Sequence, residues 1–170
     1  TTSEYDPKEP KLRLHIRPRR SRFWIAHCPP YTNQTLAKLR REIQNNPDFQ
    51  EEVIGKTVRG RDLVLWTITH GDIKGKKTIW LFFRQHSWES GSSWAGEGAI
   101  RTLLASTPES KRLREQIVWK IYPLCDPDGV ARGGVRFNAY GYDLNRNWDV
   151  VDPVKMPEIT AQRNAIRQWL

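Results

Sequence analysis

His86 and Glu89 stand three residues apart, just beyond an apolar run from Thr78 to Phe83, with Arg84 and Gln85 between. An imidazole and a carboxylate at the end of a buried strand are well placed to hold a zinc ion from two directions. The chemistry such a pair serves is metal-assisted hydrolysis. A second set of polar side chains follows a second apolar run, Ile117 to Leu124. It comprises the turn Cys125-Asp126-Pro127-Asp128-Gly129, a loop carrying Arg132 and Arg136, and the stretch Gly141 to Trp148 with Asp143, Asn145 and Arg146.

These groups need a frame, and the hydrophobic pattern supplies one. Thr78 to Phe83 is apolar on both faces, which predicts a central strand covered by helices on each side. Ser92 to Ser106 reads as a helix with Trp94, Ile100, Leu103 and Leu104 facing inward, and a short charged helix around Ser110 to Gln116 precedes the strand Ile117 to Leu124. Strand, helix, strand alternation predicts an α/β fold: a mixed, largely parallel central sheet flanked by helices. Ligands of such sheets bind beyond the carboxyl ends of the strands, so both polar sets fall on one rim.

Upstream, a helix from Thr32 or Asn33 places Leu36, Leu39 and Ile43 on one face and ends before Asn45-Asn46-Pro47. Val53 to Val58 and Asp62 to Thr69 read as a hairpin around Arg59-Gly60-Arg61. Lys11 to Ile16 and Arg22 to His27 read as short strands, and residues 1–10 as a polar linker. The expected division is therefore a linker and β-module remnant over 1–30 and a main domain over 31–170. At the far end Pro157 and Glu158 open a helix with Ile159, Ile166, Trp169 and Leu170 on one face, which stops uncapped and reads as truncated.

Composition excludes little. A chain of 170 residues, 38% hydrophobic and 28% charged, suits one globular domain, with eight tryptophans expected to supply much of the buried area. No apolar run is long enough to span a bilayer, and the N-terminus lacks the pattern of a signal peptide, so the chain reads as soluble; two cysteines in a chain this size suit a reducing compartment, and the expected setting is cytoplasmic. Cys28 and Cys125 read as unpaired buried thiols. Lys and Arg exceed Asp and Glu by 28 − 19 = 9, most densely over Lys11 to Arg22. There Leu12, Leu14 and Ile16 alternate with basic residues, as on a half-exposed strand, which favours a solvated face over attraction of an acidic substrate or nucleic-acid binding.

Three blocks, in order and spacing, resemble the zinc metallocarboxypeptidases of the carboxypeptidase A-like family: His86-x-x-Glu89, Pro127-Asp128-Gly129-Val130, and Asp143-Leu144-Asn145-Arg146-Asn147-Trp148. Pro30-Tyr31-Thr32 before a helix is similar to the cytosolic carboxypeptidase branch, and the resemblance covers roughly 23–170. It implies that His86 and Glu89 are two of three protein ligands of Zn2+ and that Arg136 stabilises the oxyanion. It further implies that Asn145 and Arg146 clamp the substrate's terminal carboxylate. Asp143 and Trp148 would then be scaffold, Asp143 orienting its loop.

The resemblance also implies parts that these residues do not contain. The family's third zinc ligand, a histidine, and its general-base glutamate lie further on, so this chain is expected to be an incomplete, inactive piece whose partner is the rest of the same polypeptide. The expected activity is hydrolysis of C-terminal residues of peptides or proteins by a metal-activated water. Alternatives are an amidase or deacylase of acylated amino acids on the same fold, and a non-catalytic module that binds carboxylate termini.

Overall fold

A computed structural model describes residues 2–26 and 28–170. Its main sheet has the strand order β3-β4-β6-β5, from β3 (Phe49–Lys56), β4 (Asp62–Ile68), β5 (Lys77–Phe82) and β6 (Ile117–Tyr122). The mixed α/β class holds. β3 pairs with β4 and β4 with β6 antiparallel, and parallel pairing is confined to β5 and β6. Parallel strands cannot be joined by a tight turn. The intervening chain accordingly forms α2 (Ser90–Leu103) and α3 (Pro108–Gln116).

Local chemistry sets the element boundaries. The helix α1 (Asn33–Ile43) opens on a reciprocal cap, Thr32 Oγ1 accepting from Thr35 N while Thr35 Oγ1 accepts from Thr32 N. Thr107 caps α3 in one direction, its Oγ1 accepting from Ser110 N, with Pro108 at the first position, where no N–H is needed. The β3–β4 turn closes through Thr57, whose N–H donates to Arg61 O and whose hydroxyl accepts from Arg61 N. Gly60 there has a φ of 77°, a conformation that glycine adopts without strain.

Alternation along the strands divides the interior in two. Trp66, Ile68 and Ile121 pack with Phe49 against Leu39 and Ile43 of α1 and Ile100 and Leu103 of α2. Leu65 and Tyr122 face the other way, with Cys125, toward Ala165 of α5 (Pro157–Trp169). A third cluster, Leu144, Met156 and Ile159, with Tyr142 and Trp148 against it, ties the loop after residue 140 to the start of α5.

Several expectations change. Thr2–Asp6 (β1) is a strand, antiparallel to β2 (Lys11–His15), because backbone pairing overrides the polar composition. Residues 22–26 form no strand, and His27 lies outside the described residues. β5 is an edge of the sheet as described, and Ile79 on it is 37% exposed. Trp66 is fully buried, but Trp24, Trp88 and Trp94 are exposed, so tryptophans contribute less to the core than their number implies. The turn after β6 is a short helix, α4 (Pro127–Arg132), because Asp126 caps it by accepting from Gly129 N at 2.8 Å. Cys28 and Cys125 form no disulfide, and burial pushes the Cys125 thiol up to about 12.

Candidate active site

The rim is built where β5 and β6 end. After Phe82 the chain stays tied to its neighbour, Phe83 N donating to Tyr122 O and Cys125 N to Phe83 O. Arg84 then turns the backbone at a φ of 60°. This delivers His86 to a buried position, 4% exposed, and leaves Glu89 in reach of solvent at the start of α2.

His86 is held on both ring nitrogens. Nδ1 lies 2.8 Å from Glu89 Oε1, and Nε2 lies 2.9 Å from Asp143 Oδ1. Asp143 is the hub: its Oδ1 also accepts from Asn145 N at 2.8 Å, and its Oδ2 accepts from Arg136 Nε at 2.6 Å. Burial pushes the Asp143 carboxyl up, but the bonds from His86, Asn145 and Arg136 outweigh it and hold the group at about 2. Asp143 thus stays ionised and orients the imidazole, the role a carboxylate plays behind a metal-bound histidine. The sequence reading gave Asp143 only its own loop. The aspartate's 57-residue separation from His86 left no local signal.

The donor set fits a metal. When Nε2–H is directed at Asp143, the Nδ1 lone pair and the Glu89 carboxylate oxygen 2.8 Å away form a nitrogen and oxygen donor pair for a cation, and a second ring proton bridges the same two atoms when the imidazole is charged. Imidazole nitrogen and carboxylate oxygen suit zinc. Among the described residues no group of three or more His, Cys, Asp or Glu side chains could together hold a metal ion.

The remaining candidates separate. Arg136 joins the cluster through Asp143, while Arg132 turns its Nη2 to the carbonyls of Phe137 and Asn138. Asn145 lines a cavity of about 290 Å³ with Phe82, Gln85 and Trp148. Trp148 meets Phe82 edge-on, ring centroids 5.5 Å apart, and so floors that cavity rather than only supporting its own loop. Arg146 is exposed; its backbone N–H donates to Asp143 O at 3.3 Å, and its Nη1 donates to Asn145 O at 2.9 Å. Leu144, 2% exposed, anchors the loop that carries all three.

Beneath the rim, Asp126 is fully buried, and burial raises its carboxyl from the ordinary 3.8 to about 6 despite the bond from Gly129 N. A carboxyl raised on folding stabilises the protein below its unfolded pKa and loses that contribution as pH rises through its folded pKa. Stability should therefore fall between about pH 4 and pH 6, by on the order of 3 kcal/mol. Buried Glu158, also raised, acts in the same direction. Asp126→Asn keeps an oxygen for the α4 cap. Its denaturant midpoint should vary less over that range than the wild type's, and an unchanged pH slope would exclude this assignment.

The chain matches the zinc carboxypeptidase family over residues 35–166, and it belongs to that family. It is 36% identical over 150 residues to cytosolic carboxypeptidase 6 of Mus musculus, covering 85% of this chain and 28% of that protein. Cytosolic carboxypeptidase 2 of Danio rerio is 31% identical over 156 residues, covering 86% of this chain and 22% of that protein. A metallo-carboxypeptidase from Pseudomonas aeruginosa, solved with (2-guanidinoethylmercapto)succinic acid, superposes with a TM-score of 0.85 at 26% identity, over 98% of this chain and 44% of the other. The chain thus spans less than half the length of each of these relatives.

Proposed function

We propose that this chain supplies the first two metal ligands and the substrate-orienting loop of a zinc-dependent carboxypeptidase that removes C-terminal residues from peptides or proteins. The observation that carries the reading is His86 fixed between Glu89 and Asp143, with Arg136 on the same aspartate. His86 and Glu89 would hold zinc, which would supply Lewis-acid polarisation at the scissile carbonyl. Asp143 holds the imidazole with Nδ1 facing the ligand position. Arg136, its plane fixed by Asp143, points donors at the oxyanion that develops on that carbonyl. Asn145 and Arg146 receive the terminal carboxylate, Arg146 through its planar fork. The third ligand and the general base come from outside these 170 residues, and the chain alone binds zinc weakly and is inactive.

The relatives' name favours a cytoplasmic setting, and among the described residues no helix is long and apolar enough to cross a membrane. That the Pseudomonas aeruginosa enzyme was solved with a succinic acid derivative, which carries carboxylates, supports the carboxylate clamp. The test compares a peptide having a free C-terminus with its C-terminal amide, using the full-length protein. The expected result is release of the terminal amino acid from the acid at least about 100-fold faster, because unpaired clamp donors penalise the amide. Equal rates, or faster turnover of N-acylated amino acids, would favour an amidase instead.

A further inference from the structure

Arg84 is 6% exposed, yet its side-chain hydrogen bonds go to neutral oxygens rather than to a carboxylate. Nε and Nη2 both donate to Ser87 O, at 2.9 and 2.7 Å. Nη1 donates to Tyr31 O at 3.3 Å and to Ser93 Oγ at 3.1 Å. Its backbone N–H donates to Ser92 Oγ at 2.9 Å. One guanidinium therefore joins the segment before α1, the first turn of α2, and the carbonyl of Ser87, which follows His86 directly.

Two costs accompany this arrangement. A cation is taken out of water with no carboxylate within salt-bridge distance among the described residues, and burial pulls its pKa down against the opposing pull of charges such as Glu89 and Asp126. A residue other than glycine also adopts a φ of 60°, the left-handed region. That turn is what aims the side chain back beneath the loop instead of along the strand. Lysine would not reproduce the contact, since a single ammonium lacks the planar fork that grips Ser87 O while reaching two further elements.

We infer that Arg84 is a positioning residue, which fixes the segment carrying His86 and Glu89 in its ligand geometry before any metal binds. This rests on the reading of those two residues as zinc ligands. The test uses full-length protein with Arg84→Lys, and with Arg114→Lys as a control. Arg114 is a similarly buried arginine, 8% exposed, that binds Asp48 and the carbonyls of Leu103 and Ala105 away from the rim.

Two readouts are taken: amide exchange at Trp88 and Glu89 in the metal-free protein, and the rate of zinc release to a chelator. Arg84→Lys should speed exchange at those amides about tenfold or more and speed zinc release about 10- to 100-fold. Arg114→Lys should lower the melting temperature and move neither. Wild-type values for Arg84→Lys, or equal shifts in both variants, overturn the inference. Should Arg84→Lys not fold, Arg84→Gly, relaxed at this φ, must show the same two accelerations. Zinc that survives His86→Ala overturns the metal reading instead, and metal-free exchange still decides the role of Arg84.

Discussion

Replacing His86 by alanine in the full-length protein should abolish stoichiometric zinc and lower kcat/KM on a peptide substrate by at least about a thousand-fold. Each tenfold corresponds to about 1.4 kcal/mol of transition-state stabilisation, and the Lewis acid supplies several kcal/mol. The fold should survive, because Asp143 keeps its bonds to Arg136 and Asn145 when the imidazole is gone. His70→Ala is the matched control. His70 pairs with Asp48 at 2.7 Å on the surface away from the rim, and its loss should leave zinc and turnover unchanged. Metal analysis and steady-state kinetics on the two variants check this, and full zinc occupancy in His86→Ala would remove the site.

The second large effect belongs to Arg136. A guanidinium has five N–H donors, and the bond from Nε to Asp143 uses one. The side chain is thereby held in plane, with its outer nitrogens available to a charge that forms only in the transition state. Arg136→Ala should cut kcat by about 100- to 1,000-fold with a much smaller change in KM and no loss of zinc. Arg132→Ala should behave differently, since Arg132 is committed to the carbonyls of Phe137 and Asn138 and holds the loop's shape. It should lower stability more than kcat. Kinetics showing the reverse would transfer the oxyanion role to Arg132.

The network also sorts the candidate residues by how tightly each is held. His86, Arg136 and Asn145 N gather around the Asp143 carboxylate, with Glu89 joined through His86, while the exposed Arg146 guanidinium donates to Asn145 O and makes no bond to that carboxylate among the described residues. A residue that binds a mobile substrate terminus tolerates such freedom. One that sets metal geometry does not.

The sequence by itself determined whatever depends on neighbours in the chain. Helix α1 follows from Thr32 and Thr35 and from the spacing of Leu36, Leu39 and Ile43; the β3–β4 hairpin follows from Arg59-Gly60-Arg61; and the candidate ligands His86 and Glu89 lie three residues apart. Tertiary structure decided what depends on distant partners. Asp143 became the hub because the loop anchored by Leu144 crosses to His86, and Arg84 became a clamp because a left-handed turn directs it to Tyr31 and Ser93. Trp94, read as core, came out exposed, and Thr2–Asp6, read as linker, found a strand partner. Periodicity reports which face of an element is apolar, but the neighbour that covers that face, or completes a charge network, is chosen only when the chain folds back on itself.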